Sequence, residues 1–428
     1  MDFFNYYDGS LHCESVTARD IASAVGTPCY VYSRATLVEH HRRIAMAFAE
    51  VNPLICYSVK SCGNLSVCRT LVECGAGMDV VSGGELFRAR AAGAPPSTIV
   101  YAGVGKRDDE IAAALDAHIY LFNVESEEEF VNIARIAKER NATCECALRI
   151  NPDVDPHTHR FTTTGTKETK FGVDIERARA FFRTYGRDQH ARLVGLHLHI
   201  GSPVYTTEPY VEAVRKALAL RDELIAEGFT VSVLDVGGGF AADYETGKSP
   251  AALDYAQAIV PLLLPAVRAG LRIVLEPGRS IAANAGILLT RVQYVKRSGD
   301  KTFAICDAGM NALLRPSHYD AFHFIWPTDT STSFIPTRRE EKPEMTGLVN
   351  VDVVGPLCET GDYLALDRAM PPVARGDLLA IFTAGAYGMS MASRYNSSPL
   401  PAEVLVDGME FTTVRRRETY EDLVAHER

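Results

Sequence analysis

The sequence predicts an α/β protein, a TIM-type (β/α)₈ barrel joined to a β-sandwich- or β-barrel-like domain. Three observations carry that prediction. Between residues 50 and 280, eight short β-rich runs alternate with helical stretches; polar or glycine residues recur at the C-terminal ends of those runs; and beyond Arg279 the alternation gives way to short strands at irregular spacing. Such alternation marks βα units and a parallel sheet, and eight units close into a barrel of about 250 residues. At 428 residues the chain exceeds one such domain, so it divides into a barrel over 34–280 and a β domain over 281–428 together with 1–33.

In chain order the expected barrel strands are Ile55–Lys60, Met78–Ser82, Ile99–Gly103, Tyr120–Val124, Cys146–Asn151, Val194–Gly201, Val231–Gly239 and Arg272–Gly278. Amphipathic helices are expected at Ser66–Cys74, Gly84–Ala92, Asp108–Asp116 and Glu125–Arg140, the last with a serine cap at Ser126. The long fifth connection, from Pro152 to Leu193, carries His157-Thr-His-Arg and a Thr/Gly/Lys-rich stretch, and His157–Lys170 is expected to act as a lid. After the barrel come the short runs Gly286–Val295, Thr302–Asp307, Val349–Val354, Leu378–Phe382 and Glu403–Val406; Pro28–Tyr32 is expected to join their sheet.

Composition narrows the function classes. Hydrophobic residues are 47% and charged residues 23%, ordinary for a folded soluble chain. The 44 Lys plus Arg against 54 Asp plus Glu give a net charge of −10, which argues against nucleic acid or anionic lipid as partner. Met1–Ser10 lacks the basic and apolar regions of a secretory signal, and Pro261 and Pro265 interrupt the most apolar run, Ile259–Val267. A cytoplasmic protein with reduced thiols is expected, because the ten cysteines include no Cys-x-x-Cys pair.

Barrel enzymes work at the C-terminal ends of their strands, and there this sequence sets Lys60, Ser82, Asn151, His199, Gly237–Gly239 and Glu276. Lys60 shares a strand face with Ser58, so its amine projects at the mouth, where it can form a Schiff base. Taken alone, a lysine at a strand end is a solvated charge. The run Asp235-Val-Gly-Gly-Gly-Phe240 follows strand seven and Glu276-Pro-Gly-Arg279 follows strand eight, the two loops where barrels commonly bind phosphate, although three glycines also make a tight turn. In His197-Leu-His199-Ile-Gly-Ser202, His197 reads as a packed core residue and His199 as a ring suited to stacking on a flat cofactor, with Ser202 beside its phosphate. No metal site is expected.

These motifs, with Met-Asp79-Val-Val-Ser-Gly-Gly-Glu, Asp307-Ala-Gly-Met-Asn, Gly355-Pro-Leu-Cys358-Glu and Gly385-Ala-Tyr387-Gly, stand in the order that resembles the pyridoxal-phosphate-dependent decarboxylases of the alanine-racemase-like barrel class. Within that class the diaminopimelate decarboxylases are the most similar, and the likeness runs from about Thr27 to Asp407. The resemblance implies pyridoxal 5'-phosphate bound to Lys60 as a Schiff base, Glu276 at the pyridine nitrogen, His199 stacked on the ring and Asp79 ordering the cofactor side of the pocket. It implies phosphate contacts from Ser202, the amides of Gly238, Gly239, Gly278 and Arg279, and Tyr387. Cys358 would return a proton to the α-carbon from the other subunit of a homodimer.

The same resemblance makes Arg279, Arg315, Tyr319 and Tyr387 substrate contacts, with the two arginines and Tyr319 clamping a distal carboxylate and Glu359 meeting the distal ammonium. Two guanidinium groups and a phenol suit an anion. The implied activity is that of a carbon–carbon lyase, decarboxylation of meso-diaminopimelate to L-lysine in lysine biosynthesis. Two positions depart from the pattern, Pro203 where Gln is usual and Leu400 where Arg is common. The alternatives are a decarboxylase of another diamino acid, a non-catalytic regulatory homologue, or a racemase on the same barrel; Lys60, Glu276 and Cys358 together speak against the second, and the third would need a two-base arrangement and not the Cys358-Glu359 pair.

Overall fold

The computed structural model describes residues 2–155 and 170–427, and these fall into two compact units. The expected lid at 157–170 lies, apart from Lys170, outside the described residues.

One unit comprises His40–Ala241 and Pro250–Ser280. Its eight barrel strands are β1 (Leu54–Ser58), β2 (Gly77–Val80), β3 (Ile99–Tyr101), β4 (Leu121–Val124), β5 (Cys144–Asn151), β6 (Ala191–His197), β7 (Val233–Asp235) and β8 (Arg272–Leu275). All neighbours are parallel, and β8 pairs back onto β1 with Val274 opposite Leu54, which closes the barrel. Cys56, Val100, Leu121, Ala147, Val194, Val233 and Val274 form a buried cluster, one inward residue from each of seven strands, as a packed barrel interior requires.

The expected strand starts are close; the ends at Val124 and Asn151 coincide, while the other six expected ends run two to four residues too far. β1 stops at Ser58, and Val59–Ser61 is a 3₁₀ turn; β6 stops at His197, β7 at Asp235 and β8 at Leu275. Lys60, His199, Gly237–Gly239 and Glu276 therefore sit on the loops just past the strands, where the backbone is released from the ladder and can turn toward a ligand. Helix starts follow their caps. The Ser126 hydroxyl accepts from the Glu129 amide at 3.3 Å, Asn64 accepts from Ser66 at 2.9 Å and Ser82 from Glu85 at 3.2 Å. Pro261 and Pro265 do not interrupt their segment, which is helical throughout Ala252–Arg268. Among the described residues no helix is long and apolar enough to cross a membrane.

The second unit comprises Met1–Glu39, Ala242–Ser249 and Ile281–Arg428. Its sheet runs in the order Tyr363–Met370, Val349–Val354, Lys301–Cys306, Gly286–Ser298, Cys29–Ser33, Ala402–Asp407, Glu410–Arg415. The amino-terminal strand Cys29–Ser33 lies inside this sheet, antiparallel to Gly286–Ser298 with Val31 opposite Ile287, and parallel to Ala402–Asp407 with Val31 opposite Val404. Leu378–Ile381 adds to Gly286–Ser298 and carries Ile325–Pro327 on its other edge. Every residue of Cys29–Ser33 is buried.

Candidate active site

At the mouth of the barrel, Lys60 Nζ donates to Asp79 Oδ2 at 2.7 Å, and the Ser58 hydroxyl donates to the same oxygen at 2.6 Å. Asp79 is wholly buried while Lys60 is about a third exposed (34%), so the amine faces outward from a fixed anchor. Burial pushes the Asp79 carboxyl up, and so does nearby Glu276; the Lys60 charge and the two hydrogen bonds pull against them. The other Asp79 oxygen, Oδ1, is buried with no hydrogen-bond partner.

Behind the lysine lies a buried cluster of His197, Asp235 and Glu276, whose candidate donor atoms lie within 4.8 Å of one another. The Asn123 amide bridges the acids, donating to Asp235 Oδ2 at 2.9 Å and Glu276 Oε1 at 3.1 Å. His197 Nε2 stands 3.4 Å from Glu276 Oε2, beyond good hydrogen-bonding geometry. Two buried carboxyls this close cannot both ionise. Burial and the Glu276 charge raise Asp235 far above the carboxylate range. Burial also acts to raise Glu276, but neighbouring His197 and Lys60 outweigh it and hold Glu276 well below that range. One proton therefore rests on Asp235, and Glu276 presents a negative charge.

His199 closes another side. Burial and the Arg149 and Lys60 charges drive its imidazole well below its ordinary value, so the ring is neutral. Its Nδ1 accepts from the Gly238 amide at 3.3 Å. Arg149 is itself buried against Glu125 at 2.8 Å. The loop after β7 runs through Gly237 at φ 74° and Gly239 at φ 95°, a left-handed path that favours glycine. A methyl group at Gly238 would lie 2.2 Å from the Glu276 carbonyl oxygen. The Gly238 carbonyl accepts from Tyr210 at 2.8 Å, and Arg279 Nε donates to the Ser202 hydroxyl at 3.1 Å. Gly278 packs against Ser58 and Ser61. Gly238→Ala should therefore push the β7 and β8 loops apart, lowering stability by about 1–3 kcal/mol and weakening pyridoxal phosphate binding. Thermal melts of the apoprotein and a cofactor titration would check both effects.

In the β unit, the short helix Arg315–Tyr319 carries two further residues singled out from the sequence. Arg315 is buried, its guanidinium 5.1 Å from the Tyr244 ring centroid and 5.8 Å from that of Tyr319. Cys358 and Glu359 are exposed on the turn after Val349–Val354, and Glu359 accepts from the Tyr395 hydroxyl at 3.0 Å. Tyr387 is half-buried with a left-handed φ of 55°, uncommon for a non-glycine residue.

A model of the pyridoxal-dependent decarboxylases, pyridoxal-binding domain, matches residues 34–283. The chain is 45% identical over 423 residues to diaminopimelate decarboxylase of Aquifex aeolicus, covering 99% of this chain and 96% of that one. It is 44% identical over 427 residues to the diaminopimelate decarboxylase of Pseudomonas aeruginosa, covering 100% and 99%. The chain belongs to this decarboxylase family. The crystal structure of diaminopimelate decarboxylase from Helicobacter pylori complexed with L-lysine superposes with a TM-score of 0.88 at 38% identity, covering 96% of this chain and 98% of that one.

For a decarboxylase of this family the donor set fits pyridoxal phosphate: an amine on a buried carboxylate, an ionised acid deeper in the mouth, a neutral imidazole, and a glycine loop whose cradle a side chain would fill. Within the barrel unit the structure brings together Lys60, Asp79, His199, Glu276 and the Gly238–Gly239 loop, and pairs Ser202 with Arg279. It also supplies residues that the sequence reading passed over: Ser58, Asn123, Asp235, the Glu125–Arg149 pair and, in the β unit, Tyr244, His323 and Tyr395. Asn123 and Asp235 lie at the C-terminal ends of β4 and β7, so the rule that picked out Lys60 could have found them. His197, read as core, is core by burial yet touches Glu276.

Proposed function

We propose that this chain catalyses the pyridoxal-phosphate-dependent decarboxylation of meso-diaminopimelate to L-lysine and CO₂, as a cytoplasmic homodimer serving lysine biosynthesis. The observation that carries the reading is the Lys60–Asp79 pair set beside an ionised Glu276 at the barrel mouth. The likeness to named diaminopimelate decarboxylases over essentially the whole chain supports the substrate. A cofactor domain over 34–280, with 281–428 and 1–33 forming the second domain, is part of the proposal; the family match over 34–283 supports it.

Bound pyridoxal phosphate supplies the electron sink for the pair left behind when the α-carboxylate departs. Lys60 offers the amine that holds the cofactor, and Asp79 fixes where that amine points. Glu276 would place its negative charge at the pyridine nitrogen and favour the protonated ring. Neutral His199 would face the cofactor ring, while Ser202, Tyr387 and the amides of Gly238, Gly239, Gly278 and Arg279 would hold the phosphate. Arg279, Arg315, Tyr319 and Tyr387 grip the substrate, its distal carboxylate between the arginines and Tyr319. From the partner subunit, Cys358 delivers a proton to the α-carbon and Glu359 meets the distal ammonium.

The test is an absorbance spectrum of the purified protein with pyridoxal phosphate, before and after borohydride, then addition of meso-diaminopimelate with CO₂ and lysine measured. A visible band trapped on Lys60 with stoichiometric CO₂ and lysine is expected; a band without CO₂ would end the substrate assignment. Sharing of the site between subunits has its own check. Lys60→Ala and Cys358→Ala subunits, each inactive alone, should regain about a quarter of wild-type activity after random reassociation, since half of the sites in a mixed dimer are intact. No recovery would mean that Cys358 serves its own subunit.

A further inference from the structure

Arg315 does not stand alone in the β unit. Its Nε donates to His323 Nε2 at 3.3 Å, and His323 Nδ1 lies 3.0 Å from the Phe382 carbonyl oxygen. A carbonyl can only accept, so Nδ1 carries the hydrogen and Nε2 presents its lone pair to the guanidinium. This is the tautomer that can receive Arg315. The histidine is wholly buried. The Tyr244 ring meets it edge-on at 5.3 Å while lying under Arg315, and Arg368 Nη1 donates to the His323 carbonyl at 2.7 Å. Two rings and one hydrogen bond thus fix the plane of the guanidinium. Nε donating to His323 anchors the guanidinium through its inner nitrogen, and a guanidinium's Nη pair has the geometry that meets a carboxylate side-on.

We propose that His323 is a positioning residue for substrate selection: held in one tautomer by Phe382, it aims Arg315 at the distal carboxylate. This rests on the reading of Arg315 as the distal-carboxylate clamp. A buried histidine bonded at both ring nitrogens is costly to desolvate, and an apolar residue would fill the same volume without that cost; what the imidazole adds is an acceptor for Arg315.

Two substitutions separate aiming from packing. In His323→Asn the side-chain amide reaches the Nδ1 position and can still donate to Phe382, but it offers nothing at Nε2. In His323→Gln the amide oxygen reaches the Nε2 position and can accept from Arg315. Steady-state kinetics of the holoenzyme with meso-diaminopimelate should show KM raised roughly tenfold or more in His323→Asn, as for loss of a hydrogen bond to a charged group, with kcat within about twofold. His323→Gln should stay within about threefold of wild type in KM. The reverse order, no change in either, or equal KM increases tracking equal drops in holoenzyme melting temperature would overturn the proposal. Arg315→Met, run alongside, keeps the two claims apart. If it leaves KM unchanged, the clamp reading fails and the inference with it; if it raises KM while His323→Asn does not, only the inference fails.

Discussion

Replacing Lys60 with alanine is expected to reduce kcat on the order of 10⁴-fold or more, the scale seen when a covalent catalytic group is removed, and to abolish the visible band that borohydride traps. Lys60→Arg should be equally inactive, because a guanidinium cannot take the place of the reacting amine, yet it keeps a cation against Asp79. The two variants should therefore part in stability. In the wild type, burial and Glu276 raise the Asp79 carboxyl and Lys60 offsets them; alanine removes the offset, so Asp79 rises further and takes up a proton. A carboxyl raised in the folded state contributes stability that is fully present below its unfolded value, about pH 4, and is lost as pH climbs through the folded value. Melts of the apoproteins across that range should show Lys60→Ala weakening toward alkaline pH more steeply than Lys60→Arg. Parallel slopes would mean that Asp79 does not depend on the lysine charge, and retained decarboxylation in either variant would remove Lys60 from the chemistry.

The barrel was legible because its signal is local. Each strand is a short apolar run whose inward residues meet neighbours of the same kind, and helix starts carry serine or asparagine caps, as at Ser126 and Asn64. Most strand ends were not legible, Val124 and Asn151 excepted. The residues after Ser58 and His197 keep β-like composition while their backbones leave the ladder to build the mouth. Composition misled again at Ala252–Arg268, where two prolines sit inside a helix. The strand Tyr363–Met370 went unseen because Asp367 and Arg368 break its apolar alternation, although Arg368 is buried against His323. The site divides along the same line. Lys60, His199 and Glu276 announce themselves by type and by place at strand ends. Asn123 touches Asp235 and Glu276 across separations of 112 and 153 residues, and only the closed barrel brings them together. His323 needs the fold of the β unit to meet Arg315 and Phe382 at once.

Asp235 and Glu276 make the sharpest contrast of charge, and their variants should differ accordingly. Glu276→Gln replaces the ionised acid by a neutral amide, so the negative charge facing the cofactor ring is lost; kcat should fall about 10²–10³-fold, as when a preorganised electrostatic partner is removed. Asp235→Asn replaces an acid that is already protonated, and its oxygen can still accept from the Gly237 amide, bonded at 2.9 Å in the native loop; the loss should stay below about tenfold. Stability against pH reads the same proton. The native pair holds one proton, whereas the unfolded chain holds two below about pH 4 and none above about pH 5. Raised Asp235 therefore makes the wild type lose stability as pH rises above about 5 and on toward the raised Asp235 value. In Asp235→Asn only Glu276 remains; lowered in the folded state, it contributes stability present above its unfolded value and lost only as pH falls through the folded one. That variant should hold a flat stability over the window where the wild type declines. Equal kinetic losses in the two variants, with parallel pH profiles, would show the proton to be shared evenly, and Glu276 would then lack the full charge that its place beside the cofactor requires.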